Sequence, residues 1–196
     1  MTTQMPIETH PLSPFLPTGA RILMLGSFPP KRERWSMEFF YPNWINDMWR
    51  IFGIIFFGHK DHFVASQAVK CFDRDKCTAF AAEKGIAMFD TATQVRRLKD
   101  NASDKFLEIV TPTDIAALLR EIPECRAIVT TGQKATDVIV DTYGCDEPEV
   151  GSFTNVRIDG RDIRFWRMPS SSRAYPLPLE KKAEPYRKMY ETENIL

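Results

Sequence analysis

The stretch Arg21-Ile-Leu-Met-Leu-Gly-Ser-Phe-Pro-Pro30 decides how the chain is read. Residues 22–25 form a short unbroken apolar run, the pattern of a strand covered on both faces, and Gly26 closes it. Residues 27–30 then have to be a loop. Two successive prolines remove two backbone donors and fix the chain direction, so the loop is stiff. Working outward, Ile86-Ala-Met-Phe89 repeats the buried-strand pattern and ends at Asp90. Ala127-Ile-Val-Thr-Thr131 repeats it again, with Gly132 opening onto a helix that reaches about Tyr143. Asp159-Gly160 is a hairpin-turn signal between strands at 153–158 and 162–168.

The intervening segments read as helices. Asn43 is placed to cap a helix carrying Ile45, Met48, Trp49, Phe52 and Ile55 on one side. A second helical stretch spans about 61–84 and is ended by Gly85. Thr111-Pro112-Thr113-Asp114 reads as a helix start with proline at the first helical position, and Pro178 starts a last helix through about Tyr190. Pro6, Pro11, Pro14 and Pro17 make residues 1–20 a Pro-rich lead-in to one domain over 21–196. Strands alternating with helices predict a three-layer α/β/α domain with a central, largely parallel sheet. Ligands bind such sheets beyond the carboxyl ends of the strands, which singles out the loops at 26–30, 90–93 and 168–175.

Composition narrows the class. The chain has 196 residues, 43% hydrophobic and 27% charged, which fits one globular domain and excludes a disordered tail or fibrous repeat. The longest apolar run, 51–57, is broken at Gly53 and is too short to cross a bilayer. With no basic stretch ahead of an apolar core at the N-terminus, the expected location is cytoplasmic, without a membrane partner. The 26 basic and 26 acidic residues cancel, so overall charge gives no support for nucleic-acid binding. Residues 151–196, however, carry 9 Lys/Arg against 6 Asp/Glu, which leaves room for a local basic face. Cys71, Cys77, Cys125 and Cys145 lack zinc or redox spacing and read as reduced, packed thiols. His59 and His62 have no further ligand candidates nearby, so a metal site is not expected.

Three segments fall beyond strand ends in order. They are Gly26-Ser-Phe-Pro-Pro30, then Phe40-Tyr-Pro-Asn-Trp-Ile-Asn-Asp-Met-Trp49, then Met168-Pro-Ser-Ser-Ser-Arg-Ala-Tyr175. Together they resemble the uracil-DNA glycosylase superfamily, in particular its hypoxanthine-DNA glycosylase and mismatch-specific uracil-DNA glycosylase branches. Gly85-Ile-Ala-Met-Phe-Asp90 and Gly132-Gln-Lys-Ala135 look like the family's middle strand and a later loop–helix junction, so the resemblance runs over residues 21–187. It implies a monofunctional enzyme that flips a deaminated base, uracil or hypoxanthine, out of DNA and hydrolyses its N-glycosidic bond for base-excision repair. No metal or cofactor is implied.

Carried over residue by residue, the resemblance makes Asn46 catalytic, with Trp49 completing its motif. Many relatives have Asn or Asp in the first loop; this chain has Phe28 there, and the hypoxanthine branch is likewise apolar. The His-Pro that precedes the Asn in relatives is Asn43-Trp44 here. Gly26, Ser27, Phe28 and Tyr41, with residues near Gly132 and Gln133, are expected to line the base pocket, Tyr41 as the stacking platform. Pro169, Ser170, Ser171, Ser172, Arg173, Ala174 and Tyr175 are expected to form the DNA-binding and wedge loop. In that loop the serines meet phosphates, Arg173 or Tyr175 fills the gap left by the flipped base, and Lys181 and Lys182 touch the DNA backbone.

The chemistry is self-consistent. Asn46 cannot ionise, so it can only orient water, and weak acid–base equipment of that kind suits a good leaving group such as a deaminated base. Other readings stand beside these. Asn46 is also what an exposed polar position on an amphipathic helix looks like, Tyr41 a core aromatic, and Asp90 a loop cap as well as a site carboxylate. Two rival functions remain, a non-catalytic module of the same fold that binds nucleic acid or protein, and a hydrolase of free nucleosides. The second has no use for a wedge loop. A monomer fits an enzyme that approaches the helix from one side.

Overall fold

The apolar runs pair side by side in the computed structural model, which describes residues 5–99 and 104–196. A short strand, β1 (Ile7–Thr9), precedes β2 (Ile22–Gly26). Next come α1 (Met48–Phe57), β3 (Val64–Ser66), β4 (Cys71–Phe72), α2 (Arg74–Glu83) and β5 (Ile86–Asp90). β6 (Ala92–Arg97) and β7 (Leu107–Pro112) lead to α3 (Ile115–Glu121), β8 (Ala127–Thr131) and α4 (Gln133–Tyr143). β9 (Ser152–Ile158), β10 (Arg161–Met168) and α5 (Leu179–Thr192) complete the chain.

Five strands form the central sheet in the order β5-β2-β8-β10-β9, parallel except for β9 at one edge. Every residue of β2, β5 and β8 is buried, which is why these strands are continuous apolar runs rather than alternating ones. Parallel pairing brings their C-terminal ends to one edge: Gly26 lies opposite Asp90, and Met168 opposite Thr131. The β9–β10 turn has Asp159 and Gly160 both left-handed, at φ 51° and 78°, as a two-residue turn of that hand requires. Helices flank the sheet. α1 packs on α5 through Phe52 and Phe56 against Tyr190, whose hydroxyl reaches Met24 Sδ in β2. Among the described residues no helix is long and apolar enough to cross a membrane.

Three helix boundaries differ from the sequence reading, each for a local reason. α1 begins at Met48, because Asn43 Oδ1 accepts from Ile45 N (3.1 Å) and Asn46 Oδ1 from Met48 N (2.9 Å). These side-chain turns compete with the helix and leave Ile45 outside it, exposed. The stretch 61–84 is not one helix: β3 and β4 form a hairpin, and α2 starts only where Asp73 accepts from Lys76 N (3.0 Å). Pro112 ends β7 instead of opening α3, and Asp114 caps that helix by accepting from Ala117 N (2.9 Å).

A second, three-stranded sheet, β1-β6-β7, was not anticipated. β6 alternates Gln94 and Arg96 with the buried Val95 and Arg97, so its apolar content is too low to stand out. α5 carries Pro185 in its interior, where the helix runs on without that backbone donor.

The C-terminal end is fixed by one buried carboxylate. Glu193 is fully buried and accepts from Arg164 Nε and Nη2 (both 2.6 Å) and from Trp166 Nε1 (2.8 Å). Arg126 adds a contact to the same carboxylate (3.4 Å). Glu193→Ala leaves Trp166 unpaired, although both arginines are partly exposed and reach water, so the cost falls toward the lower end of that for breaking buried pairs, about 3 kcal/mol. The expected result is a lower urea midpoint with an unchanged slope.

Candidate active site

At the C-terminal edge of the central sheet, Asp90 leans over Gly26 so closely that a Cβ there would collide with Asp90 Oδ1. The other carboxylate oxygen, Oδ2, is 2.9 Å from His10 Nε2. His10 is itself held by the Leu12 backbone at Nδ1 and enclosed by the rings of Phe28 and Phe89, with centroids 5.2 and 4.5 Å away. Sequence reasoning missed His10. A lone histidine in a Pro-rich segment gives no local signal, and its partner is 80 residues away.

The first loop is riveted to the second sheet. Phe28 packs with Ala92, Val95 and Leu107, below the guanidinium of the buried Arg97. Arg97 donates to Pro29 O (2.6 Å) and Glu8 Oε2 (3.0 Å). Phe28 therefore fills the seam between the two sheets. Ser27 Oγ donates to Asp104 Oδ2 (2.7 Å). Burial pushes the Asp104 carboxyl above its ordinary range, and the charge of Asp90 adds to this.

Tyr41 has a left-handed backbone, φ 53°, a conformation that costs a non-glycine residue about 1–3 kcal/mol and persists only where neighbours enforce it. The buried Phe39 and Phe40 lie on one side, and Pro42, whose carbonyl accepts from Ser36 N and Oγ, on the other. The Tyr41 hydroxyl is 3.4 Å from Thr131 Oγ1 at the end of β8. Burial, with the Asp90 charge behind it, keeps this phenol protonated well above its ordinary range. Gly132 sits against Ser170, while the Gln133 side chain is taken up by Asp137, Glu147 and Arg167 and does not face the site.

Asn46 and the serine loop form one unit. Asn46 pairs with Ser172 as an antiparallel bridge: Asp47 N donates to Ser171 O (2.8 Å) and Arg173 N to Ile45 O (3.2 Å). Asn46 Oδ1 accepts from Met48 N and keeps its second lone pair. Ser170 and Ser172 accept from the backbone N–H of Ser172 and Ala174, so those N–H groups are occupied and the two hydroxyl hydrogens are what the loop offers outward. Pro169 O is fixed by Tyr186 Oη (2.7 Å).

Several expected DNA contacts are corrected. Ser171 is buried and cannot meet a phosphate. Lys182 is 1% exposed and spends its ammonium on Ser172 O (2.7 Å) and Asp47 (3.4 Å), so only Lys181 of that pair is at the surface. Arg173 is bound by its Nε to Asp47 (2.9 Å), leaving Ala174 exposed at the loop tip and Tyr175 half-buried. Among the described residues there is no group of three or more His, Cys, Asp or Glu side chains able to hold a metal.

Two substitutions test this geometry. Gly26→Ala forces Asp90 off its seat, and overpacking of this kind costs about 1–3 kcal/mol, read as a lower urea midpoint. Asp104→Asn removes a carboxylate whose folded pKa is raised, so its charge opposes folding above that pKa and the penalty fades as pH falls. The variant, still able to accept from Ser27, should therefore melt higher than the wild type at pH 7, with the difference shrinking toward pH 4.

No protein-family model matches the chain, and no curated protein matches it. Among solved structures, the solution NMR structure of a Methanosarcina acetivorans protein, provisionally described as a uracil DNA glycosylase, aligns with a TM-score of 0.64. Sequence identity is 18%, over 96% of this chain and 99% of that one. The likeness establishes the fold: the chain is a single α/β domain with a central, mostly parallel sheet flanked by helices, shared over nearly its whole length.

Proposed function

We propose that the protein is a DNA N-glycosylase that releases deaminated bases, uracil or hypoxanthine, leaving an abasic site for base-excision repair. The observation that carries this reading is the Asn46–Ser172 pairing, which ties an uncharged amide to a hydroxyl-bearing loop beside the strand ends. An enzyme acting on a base in duplex DNA must extrude the nucleotide, so its reacting group and its grip on the backbone have to be fixed relative to each other. The description given to the Methanosarcina acetivorans structure agrees with this reading.

In the proposed reaction, the extruded base lies against Tyr41 at the strand ends. The free lone pair of Asn46 Oδ1 orients a water toward the sugar carbon. Backbone N–H groups of Ser27 and Phe28 stabilise the charge that develops on the departing base, a role worth about 3 kcal/mol per donor. Asp90 supplies selectivity. Deamination turns a ring nitrogen that accepts a hydrogen bond, as in adenine or cytosine, into an N–H that donates one. The Asp90 carboxylate accepts from such an N–H and repels a lone pair in its place. Its charge opposes the charge developing on the base, and the hydrogen bond from His10 tempers that cost. Nothing in this scheme requires a metal or cofactor, and one copy of the chain holds every group in it.

The test is base release from oligonucleotides carrying uracil, hypoxanthine or xanthine, single- and double-stranded. Asn46→Ala should lower release at least 100-fold, the scale expected for lost positioning. Asp90→Asn should lower it about 10- to 100-fold, as expected for a hydrogen bond to a charged acceptor. No release by the folded wild type on any substrate favours the non-catalytic binding module. Release that survives Asn46→Ala places the chemistry elsewhere.

A further inference from the structure

Beside the Asn46–Ser172 pair opens a cleft of about 320 Å³, lined chiefly by Trp44, Asp47, Arg50, Lys60, Asp61 and Arg173. Its charges are arranged unusually. The buried Asp47 carboxylate is shared by Arg173 (2.9 Å), Lys182 (3.4 Å) and Arg50 (3.9 Å). Asp61 forms no ion pair among the described residues, and Lys60 has neither an ion pair nor a hydrogen bond among them. The three lining cations exceed the two lining acids by one charge, before Lys182 behind Asp47 is considered.

Arg50 forms part of the wall. Its guanidinium lies 4.4 Å from the centre of the Trp44 ring and 5.0 Å from that of Phe72, while Nη1 is held by Trp44 O (2.9 Å) and Asn46 O (3.3 Å). Burial, with the neighbouring charge of Arg173 behind it, lowers its pKa, while Asp47 and Asp61 act in the other direction. A guanidinium does not give up its proton in a protein, so Arg50 stays a cation in the wall of the cleft. Arg50 and Arg173 are thus set in place by other contacts, and Lys60 is left uncommitted.

We propose that this cleft binds one phosphodiester of the DNA strand that carries the extruded nucleotide, through Arg173, Lys60 and Arg50. Cations outnumber acids in this cleft whether or not Lys182 is counted, so it suits an anion such as a phosphodiester. The cleft adjoins the loop that, on the glycosylase reading on which this inference rests, grips the same strand. Arg173 then holds the backbone and does not act as the intercalating wedge.

The experiment measures duplex binding by the full chain while single phosphates flanking the lesion are replaced, one at a time, by neutral methylphosphonates. One replacement should weaken wild-type binding several-fold, weaken Lys60→Ala clearly less, because only Arg173 and Arg50 remain to lose their partner, and regain its effect in Lys60→Arg. On unmodified duplex, Lys60→Ala should reduce the slope of log K against log salt by about 0.9, one phosphate contact. Equal losses in wild type and Lys60→Ala at every position overturn the proposal, as does absence of duplex binding. A flat scan together with stabilisation of the wild type, but not of Lys60→Ala, by inorganic phosphate overturns it in favour of a free phosphate ligand. Base release is measured in parallel. Coupling at one phosphate without release keeps the cleft and removes the glycosylase reading; release without coupling does the reverse.

Discussion

The carboxylate of Asp47 is the contact on which the arrangement at the strand ends depends. Its backbone N–H pairs with Ser171, its carbonyl accepts from Ile51 N to begin α1, and its side chain collects Arg173, Lys182 and Arg50. One residue therefore joins the start of a helix, the loop after β10 and the first turns of α5. Without it, the buried Lys182 and Arg50 would lose the carboxylate they share with the partly exposed Arg173, a greater loss than that of a surface ion pair. Asn46 inherits its position from this knot, since it sits one residue before Asp47 and directly across from Ser172.

The central sheet was legible because burial on both faces leaves an unmistakable trace. Residues 22–25, 86–89 and 127–131 read as strands and are strands, and Asp159-Gly160 marks a real hairpin turn. The second sheet left no such trace, for β6 buries an arginine where a strand pattern calls for an apolar residue. Helix boundaries failed where a short polar side chain competed with the backbone. Asn43 and Asn46 form local turns ahead of α1, and Asp114, not Pro112, starts α3. Such choices between neighbouring caps are decided by what the flanking chain packs against.

Much of the candidate site was readable as a set of loops, because parallel strands deliver their C-terminal ends to one edge. The partners within it were not. That Phe28 turns toward the second sheet, that Lys182 is buried, and that Arg173 is tied through Nε to Asp47 all follow from contacts between distant segments. His10 is the clearest case. Nothing within ten residues of it suggests a role, and only the closure of the lead-in against β5 gives it one.

The separation along the chain of these contacts has a kinetic consequence. His10 meets Asp90 across 80 residues, Asp47 meets Arg173 across 126, and Asp47 meets Lys182 across 135. Contacts this non-local form late, because the intervening loops must close before they are rewarded. A nascent or partly folded chain can thus possess the whole central strand pattern and still lack the site, which comes into being only when both ends of the polypeptide have docked.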